Sequence, residues 1–104
     1  MTTPSDEQIN VIAETYRLLG DPTRLRVLLA CLAEPIAVGD IAKAVNASPS
    51  SVSHHLRLLR GARLVRGTRR NKQVFYETAD AHIAHMLADM IDHAMEEHDE
   101  TSDN

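Results

Sequence analysis

Five amphipathic helical segments and one basic hairpin, with the hairpin just before the last helix, predict a mainly α fold with a small β-hairpin. Three observations carry this expectation. Apolar residues recur at helical spacing over most of the chain. Pro, Gly and helix-capping residues cut that pattern into short pieces. Two β-prone runs flank a polar, basic turn between residues 64 and 78. A length of 104 residues allows one domain and one modest core, so residues 1–104 are expected to form a single unit. Aromatic residues are 3% of the chain and Trp is absent, which leaves an aliphatic, helix-built core. So small a helical domain is expected to pair as a homodimer to bury enough apolar surface.

The first helix is expected from about Glu7 to Leu19, with Ile9, Ile12, Ala13, Tyr16 and Leu19 on one stripe. Gly20 ends it. Asp21 is placed to cap a second helix that opens on Pro22 and runs to about Ala33. Val38 to Val45 read as a short third helix and Asn46-Ala47 as a turn. Ser48 and Pro49 then open a fourth helix, which Gly61 ends near Arg60. A hairpin follows, with Leu64 to Thr68 and Gln73 to Thr78 as strands and Arg69-Arg70-Asn71-Lys72 as its turn; Gly67 interrupts the first strand. A last helix is expected from about Asp80 to His98. About six residues at each end are expected to be disordered, including the polar stretch Asp99 to Asn104. A short helix, a tight turn, a second helix and a basic hairpin together make the winged helix-turn-helix pattern.

The net charge of −4 argues at first against a nucleic-acid partner, but the charge is not evenly spread. Residues 57–72 carry seven of the eleven basic residues and no acid, whereas residues 77–104 carry nine of the fifteen acids and no Lys or Arg. Local charge sets phosphate affinity, so the basic middle keeps double-stranded DNA open as a partner. Residues 1–7 are polar and acidic, unlike a signal peptide, and no apolar run reaches the ~20 residues that span a membrane. A cytoplasmic protein without a membrane partner is expected. The single cysteine, Cys31, excludes an intrachain disulfide and a cysteine-based zinc cluster, and its apolar neighbours mark it as a core thiol.

Rotating the fourth helix by about 100° per residue places Val52, His55, Leu56 and Leu59 on one face and Ser50, Ser53, His54 and Arg57 on the other. The first face suits the core, with His55 as a hydrogen-bonded core residue. The second offers short polar groups and donors suited to phosphates and base edges. Small serines at the helix start, Ser50 and Ser51, let the backbone approach a groove closely. Arg69, Arg70 and Lys72 at the hairpin tip suit the flanking phosphate backbone.

The segment Ser51-Val52-Ser53-His54-His55-Leu56-Arg57-Leu58-Leu59-Arg60 with Leu64-Val65 resembles the recognition-helix signature of the ArsR/SmtB family. Leu19-Gly20-Asp21-Pro22-Thr23-Arg24-Leu25-Arg26 resembles the start of that family's second helix, and the likeness runs from about residue 9 to residue 98. The resemblance implies a homodimeric winged-helix repressor. It implies a dimer interface formed by the first and last helices, and an inducer that lowers DNA affinity.

The last helix carries the candidate inducer site. With His82 set at 0°, Asp89, His93, Glu96 and His85 fall within about 60° of it, beside an apolar stripe of Ile83, Met86, Leu87, Met90 and Ala94. Imidazole nitrogen and carboxylate oxygen suit zinc, nickel or cobalt. His82 and His93 stand about 16 Å apart along one helix, too far to share an ion within one chain. In an antiparallel pair of last helices, Asp80 and His82 of one protomer meet the partner's His93 and the partner's Glu96. Two symmetric sites follow, each with two nitrogens and two oxygens, as tetrahedral zinc accepts. The pattern Asp80-x-His82, ten residues, His93-x-x-Glu96 is similar to the last-helix zinc site of the SmtB-like branch. The family's other site type uses third-helix cysteines, and the matching stretch here, Ala37-Val38-Gly39-Asp40, has none. His85 and His98 are extra donors for an ion that takes more than four ligands. A repressor with a non-metal signal is the alternative. A zinc hydrolase fits poorly, because the chain lacks a base and pocket beyond the four ligands.

Overall fold

The computed structural model describes residues 2–96. Helix α1 spans Asp6–Leu19 and α2 Pro22–Ala30; strand β1 spans Ile36–Ala37, α3 Val38–Val45 and α4 Pro49–Gly61. Strands β2 and β3, Val65–Arg70 and Gln73–Thr78, precede α5, Ala81–Met95. A three-stranded antiparallel sheet in the order β1-β3-β2 is added to the helices. Among the described residues no helix is long and apolar enough to cross a membrane.

Side-chain caps set most helix starts. The Ser5 hydroxyl accepts from Gln8 N while Ser5 N donates to Gln8 Oε1, a capping box that starts α1 one residue before the expected Glu7. Asp21 accepts from Arg24 N at 2.8 Å, and Pro22 sits at the first helical position of α2. The Ser48 hydroxyl accepts from Ser51 N at 3.0 Å and fixes the start of α4. Between α3 and α4 the chain turns through Asn46 in the left-handed region (φ 56°), a conformation that Asn tolerates, and Ala47 N closes the turn on Ala42 O.

Four further boundaries differ from expectation. Helix α2 stops at Ala30 rather than Ala33, because the chain must straighten through Pro35 to place Ile36 and Ala37 opposite Tyr76 and Phe75. Helix α4 continues through Gly61, and the left-handed residue behind it is Arg63 (φ 60°). The hairpin connection is only Asn71-Lys72, so Arg69 and Arg70 belong to β2, paired with Val74 and Gln73. Helix α5 ends at Met95 with Glu96 as its C-cap; His98 and residues 99–104 lie outside the described residues.

The core is aliphatic. Val27, Leu28 and Cys31 meet Ile41 and Ala42 of α3, Val52, Leu56 and Leu59 of α4, Leu64 and Val65 at the start of β2, and Leu87 of α5. Each large member contributes about 1.5–3 kcal/mol by leaving water. Gly67, which interrupts β2, stands opposite Tyr76; a Cβ there would lie 3.1 Å from the tyrosine ring and 3.0 Å from Val74 Cγ1. The ring therefore needs the space that glycine leaves. Helix α1 buries none of its residues within the chain.

Candidate nucleic-acid interface and metal centre

The core anchors α4 through Val52, Leu56 and Leu59, which leaves its other face to solvent. Ser50, Ser53, His54 and Arg57 are exposed on that face; Ser51 is half-buried. Arg69, Arg70 and Lys72 are exposed on the hairpin, two as strand residues and one in the turn. Arg70 lies over the Phe75 ring, 5.6 Å from its centroid, a cation–π contact that steadies the guanidinium without hiding it. Arg66 is bound instead to Glu77, Nε to Oε2 at 3.1 Å, so that arginine already has an acidic partner.

Strand β3 and α4 together frame a cleft of about 160 Å³ lined by Ser53, Leu56, Arg57, Arg60 and Tyr76. Ser53 and Arg57 were singled out in the sequence. Arg60 had a signal there, one helical turn beyond Arg57. Tyr76 had none, because its approach to α4 depends on how the sheet docks against the helices.

The other face of α4 holds an unexpected feature. His55 is half-buried, as its core-side position predicts, but its Nδ1 is buried without a hydrogen-bond partner. Arg24 of α2, whose Nη1 donates to Leu18 O at 3.0 Å, likewise keeps a buried Nε without a partner. Burial first, then the Arg24 guanidinium and His54, hold the His55 pKa below its ordinary value of 6.5; Asp21 opposes them. A histidine with a lowered folded pKa binds fewer protons folded than unfolded. Its contribution to stability is therefore intact above 6.5 and is lost as pH falls from there toward the folded value. Between pH values of about 7.5 and 5.5 the melting temperature is expected to fall more for the wild type than for His55→Gln. Parallel melting curves would contradict this. Cys31 is fully buried, its S–H donates to Val27 O at 3.4 Å, and burial pushes its pKa up to about 12. It is a core residue and a poor nucleophile.

On α5, Asp80 is the N-cap: Oδ1 accepts from Ile83 N at 3.0 Å, and the second carboxylate oxygen is left over. His82, His85, His93 and Glu96 are all exposed. Among the described residues of a single chain, no three His, Cys, Asp or Glu side chains come together as a metal cluster. The expected ligands therefore stay apart within one protomer, as the length of the helix between them requires. Among the described residues seven large apolar side chains are exposed, and all lie on α1 or α5: Ile9, Val11, Ile12 and Tyr16 on the first, Met90, Ile91 and Met95 on the second.

A basic reading helix behind a helix-turn, flanked by an arginine-bearing hairpin, defines a winged helix-turn-helix DNA-binding regulator. The sequence profile described as "Bacterial regulatory protein, arsR family" matches residues 21–66. A protein named as the transcriptional repressor SmtB homolog of Synechocystis sp. is 39% identical over 90 residues, covering 86% of this chain and 68% of the relative. The transcriptional regulator NmtR of Mycobacterium tuberculosis is 37% identical over 92 residues, 88% of this chain and 77% of the relative. The solution structure of apo-NmtR matches all of this chain and 88% of its own, with a TM-score of 0.76 and 35% identity. The structure described as the cadmium metal-sensor CMTR of Mycobacterium tuberculosis has a TM-score of 0.67 and 40% identity over 76% of this chain and 82% of its own. This chain belongs to the ArsR family of bacterial transcriptional regulators; these relatives are regulators, not enzymes.

Proposed function

We propose that the chain is a homodimeric repressor of double-stranded operator DNA whose binding answers to a divalent metal ion, zinc in the first instance. One observation carries the reading. The exposed donors of α5 run along one face of the helix, exposed Met90 lies on the stripe next to them, and exposed Ile91 and Met95 continue the apolar surface round the far side, so a surface that must be covered adjoins a row of metal ligands. A second copy is the occupant of that surface. Its apolar area is shared by α1 and α5, and a hollow of about 230 Å³ between Tyr16, Leu19, Leu25, Met86, Leu87 and Met90 offers room for side chains.

Operator contacts fall to Ser50, Ser51, Ser53, His54 and Arg57 at the groove, with Ser51 acting through the helix start. Arg69, Arg70 and Lys72 serve the flanking backbone. Asp80 and His82 of one protomer, with the partner's His93 and the partner's Glu96, would hold the ion. The donors fit: imidazole nitrogens and carboxylate oxygens are accessible, and Asp80 keeps one oxygen beyond its cap. Zinc, when bound, supplies a centre that ties the two last helices together. The relative described as a cadmium metal-sensor shows that this fold accommodates metal sensing. A thiolate site is not supported here, because the one cysteine is buried and protonated. Nickel or cobalt is the second reading, favoured by His85, an exposed imidazole on the same row.

Coupling between the two sites is about 1–3 kcal/mol in such systems, and it is reciprocal. His93→Ala is expected to bind operator as the wild type does in the absence of metal, and to lose the zinc response. His93 lies on α5, far along the chain from the reading helix. Loss of metal-free DNA binding in this variant, or an undiminished zinc response, overturns the ligand assignment.

A further inference from the structure

We propose that the cleft between α4 and β3 seats a DNA backbone phosphate, with the Arg60 guanidinium and the Tyr76 O–H as its ligands beside Arg57 and Ser53. This rests on the DNA-binding reading and adds two residues to it. Ser53, Arg57 and Arg60 follow one another at helical spacing, so their side chains share the face of α4 that borders β3. Tyr76 comes from the central strand, paired with Ile36 on one side and Gly67 on the other. The missing side chain at Gly67 leaves room for the ring, since a Cβ there would come within 3.1 Å of its Cε1. Among the described residues neither guanidinium makes an ion pair, and the phenol has no hydrogen-bond partner. The nearest carboxylate along β3, Glu77, is taken by Arg66. The cleft thus presents two unpaired cations and two hydroxyl groups with no acid, within about 160 Å³. That is room for a phosphate with some of its water, since one water occupies about 30 Å³. A phosphodiester matches this lining, because guanidinium and O–H donors suit its anionic oxygens and most protein–DNA hydrogen bonds go to phosphate and sugar; an arginine reading guanine would instead act on operator alone, which the comparison of operator with random duplex separates. Its place at the junction of reading helix and hairpin lets one phosphate fix the angle between them.

The test is the salt dependence of binding to operator and to random duplex DNA. Arg60→Gln is expected to weaken both equally and to reduce the slope of log K against log salt by about 0.9, one phosphate contact. Arg60→Lys is expected to restore the slope. Tyr76→Phe keeps the ring over Gly67; it is expected to weaken both DNAs by about 3- to 10-fold with the slope unchanged, because a neutral donor releases no counterion. Melting temperatures, measured alongside, are expected to stay at the wild-type value for Tyr76→Phe. Wild-type affinity and slope in both Arg60→Gln and Tyr76→Phe overturn the proposal, as does a loss confined to operator. Failure of the wild type to bind any duplex sinks the DNA-binding reading instead, a distinct result.

Discussion

Ile12→Asp is expected to give a folded monomer that has lost most of its operator affinity. Ile12 is exposed within the chain, as are Ile9 and Tyr16 on the same stripe; no residue of α1 is fully buried, and at its end Leu19 packs against the core. A charge there does not disturb packing inside the protomer. It is placed instead in the apolar face shared with α5, where a buried unpaired carboxylate opposes association strongly. Linking two reading heads makes the second contact intramolecular, an advantage of about 10²–10⁴ in affinity that a monomer forfeits. Zinc binding is expected to fall with it, because the ligands of one protomer stay apart. Sedimentation velocity and DNA titration on the same sample check both halves. A variant that remains dimeric shows that this face is not the interface.

Leu59→Ala is expected to cost about 2–5 kcal/mol of stability, a large part of what a domain this size possesses. Leu59 is fully buried on α4, among Val27, Leu28, Ile41 and Val65, so its removal leaves a cavity under the reading helix. Melting temperature is expected to drop by roughly 10 °C or more, compared at equal protomer concentration because association adds to apparent stability. Arg17→Ala, which removes the exposed ion pair to Glu14, is the matched control and is expected to change little. A small effect at Leu59 would mean that α4 is held chiefly by the sheet.

Local signals in the sequence were legible where local chemistry decides structure. Asp21 and Ser48 cap the helices they were expected to cap, and the turn at Asn46-Ala47 joins the two helices of the reading motif. Errors arose where distant strands decide. Strand β1 has no signature of its own in Ile36-Ala37; it exists because β3 offers Tyr76 and Phe75 as partners. That pairing also cuts α2 short. Arg63, not Gly61, takes the left-handed position after α4, since Leu64 must turn inward to join the core. Asn71 alone accepts the positive φ of the hairpin turn, which moves Arg69 and Arg70 into the strand.

The candidate site was legible unevenly. The exposed face of α4 follows from helical periodicity, although Ser51 proved half-buried. Helical spacing also put His82, His93 and Glu96 in one row and showed that no single chain brings them together. Two things were beyond any periodicity. One is the unpaired His55 Nδ1 near the Arg24 guanidinium, set by how α2 packs on α4. The other is the approach of Tyr76 to Arg57 and Arg60.

The most direct test is fluorescence anisotropy on duplex DNA from upstream of the protein's own gene, with and without one zinc ion per protomer. The account predicts that zinc weakens binding tenfold or more, about 1.4 kcal/mol of coupling. Zinc that binds while operator affinity stays unchanged would contradict it, leaving the α5 ligands a structural role and the repressor a different signal.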